Sequence, residues 1–433
     1  MALDFSSLPP EKPVPDESPS RILWAAVFIV LTVAGVLVVL MLWPEGEPTY
    51  TPWFWICVTV YPTVFSAFVV SRRYRAHGLE CAKVQAWNDA TRKYKTQAFA
   101  RESVPMLVLA AAARVTADDT ENGIEQIVDG TLKLSAKASE QNENESVSAR
   151  WFEPIEACLA ADDPERHVEV LGWLYERLLN DLKKTLDALP AYLPLRVLLD
   201  ISGYVGGHDV VELWRAEWRR HELRFARTDR AAEPLDLMAL DAWLDDRNGS
   251  LHQHAVLLVS VGLNKAIAEQ PAPGSAEAAV GLLLISDVLA SRFELRPIAA
   301  FHRPRRAGHD DPGHALTYGL QWGDAAPNDV GALWMTGLDS AAAGFLRTAL
   351  RADSPEGKKD GVVPEFDLDR IVGNAGVSAG WLAAACATYM ACQSPKPQVI
   401  AQRDECHVLI AVVKNLNNAS TTHALPNEPD FQT

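Results

Sequence analysis

Ala255-Val-Leu-Leu-Val-Ser-Val261 and Ala279-Val-Gly-Leu-Leu-Leu-Ile285 are the stretches on which the fold turns. Neither alternates apolar with polar residues, so neither offers a face to water, and each reads as a strand buried on both sides. A sheet covered on both faces needs helices, and the flanking sequence supplies them. Upstream, Val168 to Leu189 places Val170, Leu171, Leu174, Leu178, Leu179, Leu182 and Leu186 at helical spacing. Pro190 and Pro194 stop that helix, and Leu195-Arg-Val-Leu-Leu-Asp-Ile201 follows as a strand. Val210 to Arg227 reads as a helix with Trp214 and Trp218 on one face. Downstream, Leu295 to Phe301, the short apolar Ala332 to Met335 and the terminal His407 to Val413 read as strands, and Ser378 to Met390 as a small-residue helix. Earlier in the chain, Val104 to Leu109 reads as a buried strand, Thr120 to Ala138 has helical spacing, and Ser139 to Val147 is a polar loop. Apolar strands alternating with amphipathic helices predict an α/β body.

The chain before that body is different. Ile22 to Trp43 carries no charge and is long enough to cross a ~30 Å hydrocarbon core. A second apolar run, Trp53 to Val70, follows a turn containing Pro44, Glu45, Glu47, Pro48 and Pro52. Trp24, Trp43, Tyr50, Trp53, Trp55 and Tyr61 suit interfacial belts. A signal peptide followed by a core helix is disfavoured by the polar lead-in and by the absence of a small-residue cleavage pattern before Pro44. Arg72, Arg73, Arg75 and Lys83 follow the second run, whereas the turn between the runs has no Lys or Arg. That bias predicts a membrane-anchored protein with its large C-terminal domain in the cytoplasm. The expected plan is a disordered tail (1–20), a two-helix transmembrane hairpin (21–71), a juxtamembrane helical linker (72–102), an α/β domain (103–415) and a polar tail (416–433).

A net charge of −16 over 433 residues excludes a broad basic face and argues against nucleic acid as a partner. Hydrophobic content of 48% with 22% charge is globular rather than disordered. The six cysteines (Cys57, Cys81, Cys158, Cys386, Cys392, Cys406) form no C-x-x-C pair, which removes zinc-knuckle and thioredoxin-type sites.

Candidate clusters for chemistry are few. His302, His309 and His314, with Asp310 and Asp311, lie in a Pro/Gly-rich segment at spacings that fit no standard metal signature. A solvated loop is the simpler reading. His252 and His254 share a face if the segment is extended, but a pair is not a metal site. Gly203-Tyr-Val-Gly-Gly-His208 follows a strand yet lacks the Walker lysine and the G-x-G-x-x-G spacing. There is no G-x-S-x-G nucleophile elbow.

From Ser250 onward, the strand Ala255–Val261, the linker Ser275-Ala-Glu-Ala-Ala279, the strand Val280–Ile285, the helix Asp287–Arg292 and the strand Glu294–Ala300 resemble the middle of the β-ketoacyl synthases of the thiolase superfamily. Ile371-Val-Gly-Asn-Ala-Gly-Val-Ser-Ala-Gly-Trp-Leu382 resembles the Gly-His-Thr…Ala-Ala-Gly segment that delivers a catalytic histidine there, and Cys406–Val413 resembles the closing strand. The resemblance implies a thiolase-like layered fold without intact catalytic residues. Asn374 stands where the synthases carry that histidine, and Cys158, in Glu156-Ala-Cys-Leu-Ala-Ala161, sits in a helical pattern rather than a nucleophile turn. Condensation needs a thiolate and a polarising histidine. Gly373 and Gly376 are expected to make the close turn after a strand, and Ser378, Ala379 and Gly380 to open a helix against the sheet.

Over its length the chain resembles the type VI lipase adaptor proteins, through Val104–Arg114, Leu195–Ile201, Val280–Ile285 and Val372–Gly380. That resemblance implies a non-catalytic adaptor with two protein partners, a phospholipase effector and the type VI secretion spike onto which it is loaded. It also implies that the membrane is a bacterial inner membrane. It implies no catalytic, cofactor-binding or metal residues and no cofactor. Thirteen tryptophans suit a protein-binding surface, since Trp is enriched at hot spots, although burial accounts for many. The alternative is a membrane-anchored ketoacyl-synthase-like enzyme acylated on Cys158, Cys386, Cys392 or Cys406. A purely structural membrane protein is the third possibility.

Overall fold

The computed structural model describes residues 9–15, 19–44, 47–119, 122, 124–138, 146–153, 160–204, 209–246, 249–351, 363–404 and 406–416. Cys158, Val205–His208 of the glycine-rich segment and nearly all of the expected C-terminal tail lie outside them. The chain divides into two compact units, Leu3–Glu102 and Ser103–Thr433.

In the first unit, Ser20 caps α1 (Arg21–Leu42), and Thr51 caps α2 (Pro52–Trp55) by accepting the Phe54 N–H at 3.3 Å. A π turn (Ile56–Val60) then leads into α3 (Tyr61–Glu102). The wider turn sits directly before Pro62, which has no N–H to give the regular ladder. Gly35 of α1 lies against Pro62; a Cβ there would come within 2.8 Å of the Pro62 Cβ. Arg21–Leu42 and the continuous helix Pro52–Glu102 are each long and apolar enough to cross a membrane. The expected linker helix is thus the continuation of the second apolar run, not a separate element. Residues 9–15, read above as part of a loose tail, hydrogen-bond along α3 instead.

The second unit runs β1 (Met106–Arg114), α4 (Ile124–Val128), β2 (Ala136–Ala138), β3 (Ser146–Ser148), α5 (Asp163–Ala188), β4 (Leu195–Ser202), α6 (Val210–Arg220), β5 (Arg227–Arg230), α7 (Met238–Asp245), α8 (Ser250–Gln253), β6 (Ala255–Gly262) and β7 (Ala278–Ser286). It continues with α9 (Asp287–Arg292), β8 (Ala299–Phe301), β9 (Arg305–Gly308), α10 (Pro312–Trp322), β10 (Ala332–Thr336), α11 (Ser340–Arg351), β11 (Glu365–Asp367), α12 (Leu368–Ile371), α13 (Ala379–Gln393), β12 (Gln398–Asp404) and β13 (His407–Asn415). Helical spacing over 120–138 gives only α4, because Gly130 at φ +67° ends the turn and Ala136–Ala138 is a strand. The helix expected to Arg227 stops at Arg220; Glu222 takes φ 55°, and the chain turns into edge strand β5.

The main sheet is ordered β11-β10-β12-β13-β8-β1-β7-β6-β4-β5, with β9 on β13. Read outward from the β1–β8 junction, each half repeats the same plan. In the first half β7 is antiparallel to β1 and β6, while β6, β4 and β5 are parallel. In the second half β13 is antiparallel to β8 and β12, while β12, β10 and β11 are parallel. Side chains alternate between cores as the strand period requires. Leu107, Leu257, Val259, Leu283 and Ile285 face α5 and α6. Met106, Val108, Val256, Leu258, Leu282 and Leu284 face a central core that contains α13. Trp334, Ile400, Ala411 and Val413 close that core from the second half, and Leu333, Val399, Val408 and Ile410 face α10 and α11. Five layers result, helix–sheet–helix–sheet–helix, with β6 and β7 buried along their whole length.

Candidate functional site

Parallel strands β4 and β6 end side by side at Ser202 and Gly262. Beyond their carboxyl ends opens a crevice of about 360 Å³ lined by Ser202, Gly262, Asn264, Ser275 and Asn374, with neighbouring backbone. Its outer wall is the connection between β6 and β7, and a buried ion pair fixes that wall. Glu277 accepts both Arg166 guanidinium nitrogens at 3.0 and 2.7 Å, and also the backbone N–H groups of Asn264 and Phe152 at 2.8 and 2.7 Å. Arg166 in turn donates to the carbonyls of Asn264 and Phe152. With both side chains at most 3% exposed, nearly every lone pair and proton of the pair is used, as a buried charge requires. Asp163, at the start of α5, accepts the N–H groups of Ala266, Ile267 and Ala268 at 2.8–2.9 Å. Burial acts to raise the Asp163 pKa, but those three donors bring it below the usual carboxylate range. His167 meets the Asn264 carbonyl at 2.9 Å, and burial lowers its pKa, keeping it neutral.

The inner wall is the turn before α13. Asn374 donates its N–H to the Gly274 carbonyl at 2.7 Å and accepts the Ala276 N–H at 2.8 Å, so Ser275 and Asn374 form a parallel bridge. Gly373 takes φ +110°, and a Cβ there would lie 2.8 Å from the Ala276 Cβ and 3.0 Å from the Ser275 carbonyl. Only glycine fits so tight a crossing. The expected turn is therefore present, with Gly376 at φ +57°, but it follows α12 rather than a strand. Asn374 Oδ1 accepts the Gly376 N–H at 2.8 Å, leaving its Nδ2 to donate. Ser275 Oγ and Asn264 Nδ2 are buried without a hydrogen-bond partner. Beneath the crevice, Ser378 Oγ lies 3.0 Å from Ser260 Oγ, which donates to Asp200 at 3.1 Å. Burial raises the Asp200 carboxyl to about 6, against the hydrogen bonds from Ser260 and the Leu235 N–H.

The side chains lining this crevice are amides, hydroxyls and alkyl groups; none titrates near neutral pH. Among the described residues this lining offers hydrogen-bonding groups and no acid or base. A second cavity, about 380 Å³, opens at the other end of β4 beside Arg196, Arg230 and Trp243, away from Asn374.

The other sequence candidates disperse. His302 is partly buried, and burial together with nearby Lys414 lowers its pKa to about 3. His309 pairs with Asp339 at 3.0 Å, His314 packs on Tyr318, and Asp311 caps α10. The solvated loop expected there is strand β9 and a helix start. His252 belongs to α8, so the extended geometry that would align it with His254 is not formed. Among the described residues no group of three or more His, Cys, Asp or Glu could hold a metal ion. Cys386 is buried in α13, where burial pushes its thiol far up, whereas Cys392 and Cys406 are exposed. The Arg166–Glu277 clamp was missed in the sequence; an acidic residue at 277, directly before an apolar strand, was its only trace.

No family model matches the chain, and no curated protein matches it. Solved structures do. A ketosynthase from module 6 of the bacillaene synthase of Bacillus subtilis 168 superposes with a TM-score of 0.51 at 10% identity, over 72% of this chain and 70% of that one. A Streptomyces albus JA3453 oxazolomycin ketosynthase domain gives 0.50 at 10% identity, over 75% and 77%. At such identities the likeness is one of fold, and the body of this protein has a ketosynthase-like layered α/β fold.

Proposed function

We propose that this protein is a non-catalytic adaptor of the type VI lipase adaptor kind. In this reading two N-terminal helices hold it in a bacterial inner membrane and its ketosynthase-like body lies in the cytoplasm. The body binds a phospholipase effector and helps load it onto the secretion spike. The observation that carries the non-catalytic reading is Asn374, which stands where the resemblance puts a catalytic histidine. Its Oδ1 is tied to the Gly376 N–H in a crevice whose described lining side chains are neutral. An amide there orients and hydrogen-bonds but exchanges no proton near neutral pH. The test is purification of the full chain from its native host in mild detergent. A phospholipase effector or spike component is expected to co-purify, and recovery of neither would sink the reading.

The ketosynthase-like fold itself favours a second reading, a membrane-anchored acyl-processing enzyme. Incubation with acyl-CoA followed by mass spectrometry separates the two: an acyl thioester on any cysteine supports the enzyme, and unmodified thiols remove it.

A further inference from the structure

We propose that the face of α3 around Trp87, Asn88 and Arg92 is a recognition site for an extended protein segment carrying Glu-Lys between prolines, and that the chain's own Pro10-Glu-Lys-Pro13 occupies it in cis. Asn88 grips one residue of the strap at both backbone groups: its Oδ1 accepts the Lys12 N–H at 2.8 Å and its Nδ2 donates to the Lys12 carbonyl at 2.9 Å. A side-chain amide that pairs with both polar groups of one residue recognises extended backbone as such, independent of side chain. Register comes from the neighbours. Glu11 takes both Arg92 nitrogens at 3.0 Å, the Lys12 ammonium sits 4.2 Å over the Trp87 ring, and Trp87 Nε1 donates to the Pro10 carbonyl at 3.4 Å. Arg92 holds the Glu11 carboxyl below its usual range.

The strap suits such a site. Pro9, Pro10, Pro13 and Pro15 fix φ at four of its seven positions, so little backbone freedom is lost on docking. Past Ser66, the buried residues of α3 are Asn88 and Thr91, one turn apart, while Trp87 and Arg92 beside them stay exposed. Exposed ion pairs and single cation–π contacts are individually weak, so the cis strap is held by register rather than strength. A partner segment of the same chemistry would therefore compete for the site. This surface is separate from the crevice at Asn374 and does not depend on the adaptor reading.

The test uses the full-length chain in detergent and a fluorescent peptide with the sequence of residues 8–16. Wild type, with its own strap docked, is expected not to bind the peptide and to protect the Lys12 amide from hydrogen exchange. Glu11→Arg sets two cations together; it should expose that amide and bind the peptide about tenfold or more tighter than wild type. Glu11→Arg with Arg92→Glu restores the pair in reverse and should shut the peptide out again. An exposed Lys12 amide in Glu11→Arg without peptide binding would overturn the site, and so would equal peptide binding by wild type and Glu11→Arg. A Lys12 amide still protected in Glu11→Arg would overturn the Glu11–Arg92 register. Loss of wild-type protection on dilution would place the strap on a second copy and overturn the cis assignment.

Discussion

In the second half of the body, the helix between the third and fourth strands, α13, runs fifteen residues and is buried on almost every side. In the first half the same place is held by α7, eight residues long, and the single turn α8. The two ends of the central layer are secured differently. α13 fits against both halves of the sheet through its small residues: six of its fifteen are Ala, and a Cβ on Gly380 would meet Gln402 and come within 3.0 Å of Leu237, the cap of α7. α7 is secured by charge, with Arg303 of the second half donating to Asp241 at 2.5 Å and Asp245 at 2.7 Å. Duplicated topology thus does not dictate duplicated chemistry. One half closes its central layer by small-residue packing, the other by the Arg303 clamp on α7. A second buried pair of the first half, Arg166–Glu277, joins the outer helix α5 to the wall of the crevice.

The sharpest test of that contrast is Glu277→Ala. It removes the carboxylate that takes both nitrogens of Arg166, 3% exposed, and should cost about 3–5 kcal/mol in urea unfolding of the full chain. Arg303→Met should cost less, roughly 2–3 kcal/mol, since Asp241 and Asp245 keep 12% and 19% of their surface in water. An equal or larger loss from Arg303→Met would break the ranking.

The halves should also titrate in opposite senses. His302 of the second half, lowered by burial to about 3, stays neutral while the unfolded chain takes up a proton below about 6.5. Its stabilisation is complete above that pH and falls as pH drops toward 3, by up to about 5 kcal/mol. Asp200 of the first half, raised by burial to about 6, keeps its proton where the unfolded chain has already lost one. Stability from this group is therefore full below about 4 and declines as pH rises toward 6, by up to about 3 kcal/mol. Denaturation at several pH values should show the wild type nearly flat between about 4 and 6, with His302→Gln falling and Asp200→Asn rising across that window. Parallel curves for all three proteins would refute the assignment.

Smaller effects belong to the crevice. Gly373→Ala forces a Cβ into the Ser275–Ala276 backbone at positive φ and should cost about 1–3 kcal/mol by thermal denaturation. Asn374→Ala, at an exposed side chain, should cost only about 0.5–1 kcal/mol and leave partner co-purification intact. A folded Asn374→Ala chain that loses a measurable turnover would overturn the non-enzyme reading.

The layered fold was legible where burial dictates composition. β6 and β7 are apolar on both faces, and the leucine ladder of α5 has an unmistakable helical period. β5 (Arg-Thr-Asp-Arg) and β11 (Glu-Phe-Asp) were not, because edge strands need no apolar face and read as loops. At the crevice, Gly373, Asn374 and Gly376 stood out by pattern. The clamp behind them joins residues 111 positions apart, and the Asp200–Ser260–Ser378 chain joins three elements, so no local signal marks either. The docking of residues 9–15 on α3 was equally hidden, since proline-rich composition describes a free tail and a held one alike.

The position of β1 at the junction of the halves has a consequence in time. Met106 pairs with Ser286 on one side and Phe301 on the other. A chain emerging from the ribosome at about 5–20 residues per second therefore carries this apolar strand without either partner for on the order of ten to forty seconds. Such remote pairing slows closure of the sheet and leaves an aggregation-prone edge open meanwhile. Synthesis of this protein should depend on a chaperone that shields β1 until residue 301 has been made.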